Sequence, residues 1–480
     1  MDGGTRFALN GQMTHVVGVP PDWTLLRWLR GEGWTASKEG CAEGDCGACT
    51  VLLGTPPLEG DGVTWRAINA CLVLLPQIHG RAVITAEGLA GSDGGSRPIP
   101  HFVQRALADS HGTQCGYCSP GFTMALAALS LDADRSEAAI LDSIAGNLCR
   151  CTGYRPIVEA ARTLPNWTPS LDPAVEESLR ALAAEPLAYT VEGQRVCAPV
   201  DLDEALAFRA EYPDAWVWAG GTDLGLRITK SLERPTEILA LGRIPALRGM
   251  RETEDSLEIG ATTPYAEALA AMTTLAPSLG ALVRRIAAAQ IRNLGTLAGN
   301  LGTASPIGDS LPPLIALGAE VVLGSTRGER VLPVEDFVTG YRKTALAPDE
   351  LILSIRIPKP SPDLHVSCHK VAKRVDQDIS AVSAAFVLGI ENGRVTAVRL
   401  AYGGVADRPK RATRAEEALL GQPWTRDRLE VAKAALAEDI APMDDARGTA
   451  AYRRLVAANL LDRLYWDTTE TTAPLRLEAL

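Results

Sequence analysis

The sequence predicts a multidomain α+β protein, and three observations predict it. At 480 residues the chain is long enough for two to four domains. Its hydrophobic pattern changes character twice: strands and turns to about residue 85, helical spacing from about 99 to 164, then mixed α/β from about 189. Its cysteines are crowded, with eight of ten between residues 41 and 151.

Composition narrows the class. Hydrophobic residues at 46% and charged residues at 22% are ordinary for a soluble globular chain. A net charge of −11 argues against a nucleic-acid footprint. No apolar run reaches the roughly 18–20 residues that span a bilayer. The first 30 residues mix Asp2, Arg6, Asp22 and Arg27 with apolar positions, unlike a secretory signal. A cytoplasmic setting is therefore expected, where clustered cysteines serve as metal ligands or redox groups rather than disulfides.

Residues 1–85 form the first expected domain. "RFALN" and "THVVGV" read as strands joined at Asn10 and Gly11, an Asn-Gly hairpin signal. Asp22 offers an N-cap to a helix with Leu25, Leu26 and Leu29 on one face. A Gly- and Cys-rich loop at 40–49 leads into the strand "CTVLL". Residues 86–164 hold four short amphipathic segments, beginning "PHFVQRALAD", "GFTMALAALSL", "EAAILDSIAGNL" and "PIVEAARTL", which imply a helical bundle. Residues 165–188 read as a Pro-broken connector in which "AVEESLRALAA" forms at most one helix.

Residues 189–365 read as α/β. "DLDEALAF" has a D-x-x-E helix start at Asp201 and Glu204, and "AWVWAGG" is a strand entering a glycine turn. In "AGGTDLGL" (219–226) that turn would present backbone N–H groups to a phosphate; Gly-Gly turns are also common without a ligand. "IRNLGTLAGNLGTASPIGDSLPPLIAL" (291–317) is a second glycine-rich stretch, otherwise a loop before a buried helix. Residues 366–480 alternate strands ("SAAFVLGI", "RVTAVRLAYGG") with helices ("RAEEALLG", "RDRLEVAKAAL"), a separate α+β domain.

The cysteines form two sets. Cys41, Cys46 and Cys49 have C-x4-C-x2-C spacing, and Cys71 follows after 21 residues. This is the plant-type ferredoxin spacing for a 2Fe–2S cluster. Gly40, Gly44 and Gly47 let the loop close around a cluster and point backbone N–H groups at sulfur. A structural zinc site would want a second C-x2–4-C knuckle, which is missing. The second set is Cys115 and Cys118, then Cys149 and Cys151, a C-x2-C and a C-x-C separated by 30 residues. That spacing alone suits zinc or an iron–sulfur cluster. The six histidines form no convincing ligand pair, and Cys197 and Cys368 read as free thiols.

Together, "EGCAEGDCGACTV", "NACL", "QCGYCSPGF" and "GNLCRCTGYRPI" resemble, in order, the iron–sulfur domains of the xanthine dehydrogenase and aldehyde oxidase family of molybdenum hydroxylases. The two glycine-rich stretches resemble that family's flavoprotein module. The resemblance implies a β-grasp 2Fe–2S ferredoxin domain, a four-helix 2Fe–2S domain, an α/β FAD-binding domain of the PCMH/vanillyl-alcohol-oxidase type, and a C-terminal α+β flavoprotein domain.

It also implies site residues. The eight cysteines would hold two 2Fe–2S clusters, and Gln114 would contact a molybdopterin carried by a partner. FAD would lie on Val217, Trp218, Ala219, Gly220, Gly221, Thr222, Asp223 and Leu224, on Thr296, Leu297, Ala298, Gly299 and Asn300, and near Asp309. Leu353 and Lys370 would approach the ring system, with Lys370 donating to the reduced flavin. Arg374 and Asp376 would border NAD+, in a loop whose Gln377 departs from the more acidic eukaryotic pattern. The "KRVDQDISAV" loop is similar to that of the bacterial xanthine dehydrogenase branch. The implied role is an electron-transfer subunit in an α2β2 heterotetramer with a larger molybdenum subunit. Electrons would pass from purine through molybdenum, the helical-domain cluster, the ferredoxin-like cluster and FAD to NAD+. Oxidation of an aldehyde or another N-heterocycle, or a non-catalytic iron–sulfur sensor or carrier, are the alternatives.

Overall fold

Alternation along five short strands builds a sheet with two apolar faces. Phe7, Leu9, Val51, Leu53, Ile68 and Val83 enter one core, while Ala8, Leu52, Trp65, Ala67, Ala82 and Ile84 enter another. Successive side chains of a strand point to opposite faces, so a sheet covered on both sides needs near-continuous apolar runs such as "TVLL". The computed structural model describes residues 3–57, 60, 62–92 and 98–469. Its sheet order is Gln12–Val17, Gly4–Leu9, Ala82–Ile84, Thr50–Thr55, Thr64–Asn69, with the Gly4–Leu9 and Ala82–Ile84 strands parallel. Asn10 (φ 50°) and Gly11 (φ 84°) make the expected hairpin turn.

The helix Leu25–Gly31 packs on the first face. Its cap corrects the sequence reading. Thr24, not Asp22, stands next to Leu25 and accepts from the Arg27 N–H at 3.2 Å. Asp22 lies too far from the helix start; it is buried and bound to Arg234 Nε at 3.0 Å.

The second face carries the helices Phe102–Asp109, Ser119–Leu129, Glu137–Ile144 and Arg155–Arg162. The connector holds one helix, Pro173–Ala184, capped by Asp172, with Leu179 and Leu182 buried. A second sheet follows, ordered Trp216–Trp218, Glu237–Ala240, Gln194–Ala198, Leu187–Val191. Its first three strands are parallel, with the helix Leu202–Glu211, capped by Asp201, as crossover.

The chain divides into two compact units, Met1–Arg248 with Ala287–Gly295, and Gly249–Ile286 with Thr296–Leu480. The elements above belong to the first. The second has an antiparallel five-stranded sheet, ordered Met250–Glu252, Ser256–Gly260, Leu351–Pro358, Glu320–Ser325, Gly328–Pro333. The glycine-rich stretch, read as a loop before a buried helix, contains that buried helix at Leu311–Ala316 and a further helix, Leu297–Thr303, where the loop was expected. A four-stranded sheet (Leu364–Val371, Val382–Glu391, Arg394–Gly403, Lys410–Arg411) separates two cores. Ala385, Val387 and Ala401 face one, and Val382, Ala384, Phe386 and Leu388 face the other, under the helices Arg426–Asp439 and Ala450–Thr469. Among the described residues no helix is long and apolar enough to cross a membrane.

Candidate functional site

The first cysteine set sits where an irregular loop meets the strand Thr50–Thr55. Cys41 Sγ accepts from the backbone N–H groups of Glu43, Asp45 and Cys46 at 3.3–3.4 Å, and Cys46 Sγ accepts from the Cys41 N–H at 3.4 Å. Positive φ at Ala42, Gly44 and Gly47 turns these amides inward. A Cβ on Gly40 would stand 2.6 Å from Cys46 Sγ. The Cys46 thiol and the converging N–H groups, working against burial, lower Cys41 to about 5. The same partnership raises Cys46, and the Cys49 thiol together with burial raises Cys71. The four thiols thus associate as Cys41 with Cys46 and Cys49 with Cys71.

The second set joins two inter-helical loops. Cys118 immediately precedes the helix Ser119–Leu129, and Cys149 and Cys151 lie just before Arg155–Arg162. Cys151 Sγ is 3.8 Å from both Cys149 Sγ and Cys115 Sγ, and Cys118 is hydrogen-bonded to Cys149. Burial would raise Cys149. Thr152 Oγ1, 3.1 Å from its sulfur, and the N–H groups of Thr152 and Cys151 outweigh that and bring it to about 7. Burial pushes Cys118 up to about 12. Cys115 and Gln114 are exposed, so this set opens to the surface.

Among the described residues no three or more His, Cys, Asp or Glu side chains gather as a single-ion site. The first set instead associates in two pairs and the second as a chain from Cys115 through Cys151 and Cys149 to Cys118, so each gathers four thiols, which suits a dinuclear cluster held by four thiolates. Amides aimed at sulfur favour the thiolate that iron requires. The residues present therefore fit two 2Fe–2S clusters.

The two sets are joined directly. Leu148 N–H donates to the Cys46 carbonyl at 3.0 Å, Asn147 Nδ2 to the Gly47 carbonyl at 3.0 Å, and Tyr117 Oη to the Glu39 carbonyl at 2.5 Å. Asn147 lies inside the "GNLCRC" motif, but nothing in its spacing marked it as a bridge.

The glycine turn after Trp216–Trp218 also lies in the first unit. A Cβ on Gly220 would stand 1.9 Å from the Leu294 carbonyl, and one on Gly221 (φ 75°) 2.2 Å from Trp218 Nε1. Trp218 Nε1 is buried without a hydrogen-bond partner. The helix Leu224–Thr229 begins directly after the turn, and first-turn N–H groups point out of a helix N-terminus. Val217 and Trp218 at the strand end, the turn Ala219, Gly220, Gly221, Thr222 and Asp223, and Leu224 at the helix start thus form a close-packed backbone passage that suits a phosphate.

The remaining residues expected at the flavin lie in the second unit. Thr296 caps the helix Leu297–Thr303, its Oγ1 accepting from the Gly299 N–H at 2.9 Å. Asn300 Oδ1 accepts from Ser310 Oγ at 2.6 Å, and Tyr265 Oη donates to Ser310 at 3.1 Å. Asp309 is buried, accepting from Ser380 Oγ at 2.5 Å and ion-paired with Lys370 Nζ. Lys370 is therefore a buried, compensated cation. Arg285 holds its loop by donating to the Lys370 carbonyl at 2.9 Å and the Val375 carbonyl at 3.3 Å. The Leu353 side chain is buried beside Gly324. Sequence reasoning missed Ser380 and Arg285, whose partners are distant in the chain, and Ser310, whose bond to Asn300 falls within the glycine-rich stretch.

Two groups of four thiols, bridged loops and a glycine-lined turn define an iron–sulfur flavoprotein. Family models match the chain as a [2Fe-2S] binding domain at 85–162, an FAD binding domain in molybdopterin dehydrogenase at 190–360, and a CO dehydrogenase flavoprotein C-terminal domain at 367–468. Carbon monoxide dehydrogenase from Hydrogenophaga pseudoflava is similar in structure: TM-score 0.54 and 30% identity, covering 56% of this chain and 94% of that one. Quinoline 2-oxidoreductase from Pseudomonas putida 86 is similar with a TM-score of 0.52 and 28% identity, over 56% of this chain and 94% of that one. Xanthine dehydrogenase from Emericella nidulans is 32% identical over 97% of this chain, and aldehyde oxidase 2 from Cavia porcellus 32% over 96%. This chain spans 39% of the length of each of those two relatives. The chain belongs to the molybdenum hydroxylase family and carries its iron–sulfur and FAD-binding domains.

Proposed function

We propose that this chain is the electron-transfer subunit of a xanthine dehydrogenase, delivering electrons from a molybdenum-cofactor partner to NAD+. The observation that carries the electron-transfer part of this reading is the Leu148 N–H bond to the Cys46 carbonyl, which joins the two thiol sets at 3.0 Å. Bound at these places, two 2Fe–2S clusters relay single electrons and FAD collects them for two-electron delivery to NAD+.

The chain's own residues position and screen. Cys41, Cys46, Cys49 and Cys71 take one cluster, and Cys115, Cys118, Cys149 and Cys151 the other. Gln114, exposed beside Cys115, is assigned to the pterin of a larger partner in an α2β2 assembly. Residues 217–224 hold the FAD pyrophosphate through backbone N–H groups. Residues 296–300 and Asp309 are assigned to the same cofactor, and Leu353 to its ring system. Lys370, already anchored by Asp309, keeps N–H donors in reserve for the reduced flavin. No residue of this chain is assigned to purine hydroxylation.

Similarity to xanthine dehydrogenases along nearly the whole chain supports the purine reading. The likeness to aldehyde oxidase 2 and quinoline 2-oxidoreductase supports a second reading, oxidation of an aldehyde or another N-heterocycle by the same electron route. Co-purification from the native host, with metal analysis and a substrate screen, separates them. Molybdenum in the complex with xanthine-dependent NAD+ reduction is expected. Activity on aldehydes or quinolines alone would transfer the chain to the second reading. Iron–sulfur absorption without flavin would remove the FAD assignment.

A further inference from the structure

Ala287–Gly295 falls within the match to the FAD-binding family, yet it is built into the iron–sulfur unit. Ile291 and Leu294 join the core beneath the first cysteine loop. Arg292 Nη2 pairs with Asp142 at 2.5 Å, and Asn293 Nδ2 donates to the Ala67 carbonyl at 2.8 Å. At the centre is Gln290, fully buried on a one-turn helix, Ala289–Arg292.

Gln290 Nε2 donates to Asn147 Oδ1 at 2.8 Å. Asn147 Nδ2 in turn donates to the Gly47 carbonyl at 3.0 Å and lies 3.4 Å from Thr50 Oγ1. The amide orientations follow from this chain of bonds. A carbonyl can only accept, so Asn147 must present its nitrogen to Gly47 and its oxygen to Gln290. Three glycines make room for the relay. A Cβ on Gly47 would stand 2.2 Å from the Gly146 carbonyl, one on Gly121 2.2 Å from the Gly47 carbonyl, and one on Gly146 2.0 Å from Gln290 Oε1. Gly47 lies between Cys46 and Cys49, Gly146 three residues before Cys149, and Gly121 three after Cys118.

We propose that Gln290 is a positioning residue for electron transfer between the two clusters. It locks Asn147, and Asn147 fixes the Gly47 carbonyl, so the spacing of the two ligand loops is set by a side chain from the FAD-binding part of the sequence. The step served is the passage of one electron: one cluster is oxidised, the other reduced, no bond forms or breaks, and no proton moves. Gln290 acts through its hydrogen bond to Asn147 rather than as a ligand. An unsatisfied Asn147 oxygen, buried without Gln290, would force the loop to rearrange.

The proposal rests on the cluster assignment, which iron and sulfide analysis of the wild-type chain tests separately. The decisive experiment is EPR of the dithionite-reduced full chain with redox titration, on wild type, Gln290→Met and Asp142→Asn. Gln290→Met fills the same space without a donor. With full iron content it should change the magnetic splitting between the two reduced clusters and shift at least one midpoint potential. Asp142→Asn loosens the same segment outside the relay and should leave both unchanged. Wild-type splitting and potentials in Gln290→Met would overturn the proposal, as would equal changes in Asp142→Asn. If Gln290→Met does not load iron, Gln290→Asn, which keeps an amide one methylene short, takes its place with the same criteria. Failure of both to fold would make Gln290 a folding residue and overturn the positioning role.

Discussion

The backbone N–H of Leu148 donates to the carbonyl of Cys46 at 3.0 Å, so each cysteine set is one covalent step from the hydrogen bond that joins them. Cys46 belongs to the first set, and Leu148 precedes Cys149 of the second. Such a contact survives only if the two backbones approach without side chains between them. Gly47 meets that need with a φ of 64°.

Gly47→Ala should therefore damage both sets at once. The added Cβ would meet the Gly146 carbonyl at 2.2 Å and Asn147 Nδ2 at 2.4 Å. Left-handed strain and overpacking together cost about 2–4 kcal/mol. Thermal unfolding should report a lower midpoint, and iron analysis a partial loss from both clusters. Loss confined to one cluster would mean that the loops are independent.

Single ligand changes should behave differently. Cys149→Ser should remove one of two EPR-distinguishable clusters and leave the other, because the sets share no thiol. Cys71→Ser should remove the complementary signal. If either variant keeps both signals, that cysteine is not a ligand.

How much of this was legible in the sequence depends on how far apart the partners lie. The cysteine sets were readable because each ligand pair is separated by five residues or fewer, apart from Cys71, which a strand end delivers. The β-grasp elements were readable from the Asn10–Gly11 turn and the apolar runs. The helix at 297–303 was obscured by Gly299 and Gly302, residues that ordinarily argue against a helix interior, whereas the buried helix at 311–316 was readable because its prolines fall in the first turn of an apolar run. The role of Ala287–Gly295 was invisible because Gln290, Arg292 and Asn293 bind partners 143, 150 and 226 residues away. Local pattern carries no record of such contacts. Ser380 and Arg285 were missed for the same reason.

Acid should weaken the first unit through His79. Burial, then Arg243 and Arg6, lower it to about 3, while its Nδ1 accepts from the Arg6 N–H at 3.2 Å. The unfolded chain takes up the proton near pH 6.5, but the folded chain resists until about 3. The stability linked to neutral His79 is thus complete above pH 6.5 and is lost as pH falls toward 3. By pH 4.5 the loss is about 2–3 kcal/mol. His79→Asn retains an acceptor for Arg6 but does not titrate. In urea unfolding at pH 7 and 4.5, wild type should lose about that much more stability than His79→Asn. Parallel losses would clear His79 of the effect.

The buried pair of Lys370 and Asp309 makes the sharpest distinction between stability and chemistry. Lys370 is 2% exposed and Asp309 8%, so removing the lysine leaves a buried carboxylate that keeps its hydrogen bond from Ser380 but has lost its compensating cation. Breaking a buried pair from one side costs about 3–5 kcal/mol, whereas replacing both partners with neutral groups of similar shape is often tolerated. Lys370→Met should therefore unfold at markedly lower temperature, and adding Asp309→Asn should restore much of the loss. NAD+ reduction should not recover with it. The proposed role of Lys370 toward the reduced flavin needs its charged N–H donors, which the double variant lacks. Reduction of a dye that accepts directly from the iron–sulfur clusters supplies the control and should stay near wild type in the refolded double variant. If NAD+ reduction returns along with stability, the pair is structural, and the flavin contact must be sought in another residue of the 370–380 loop.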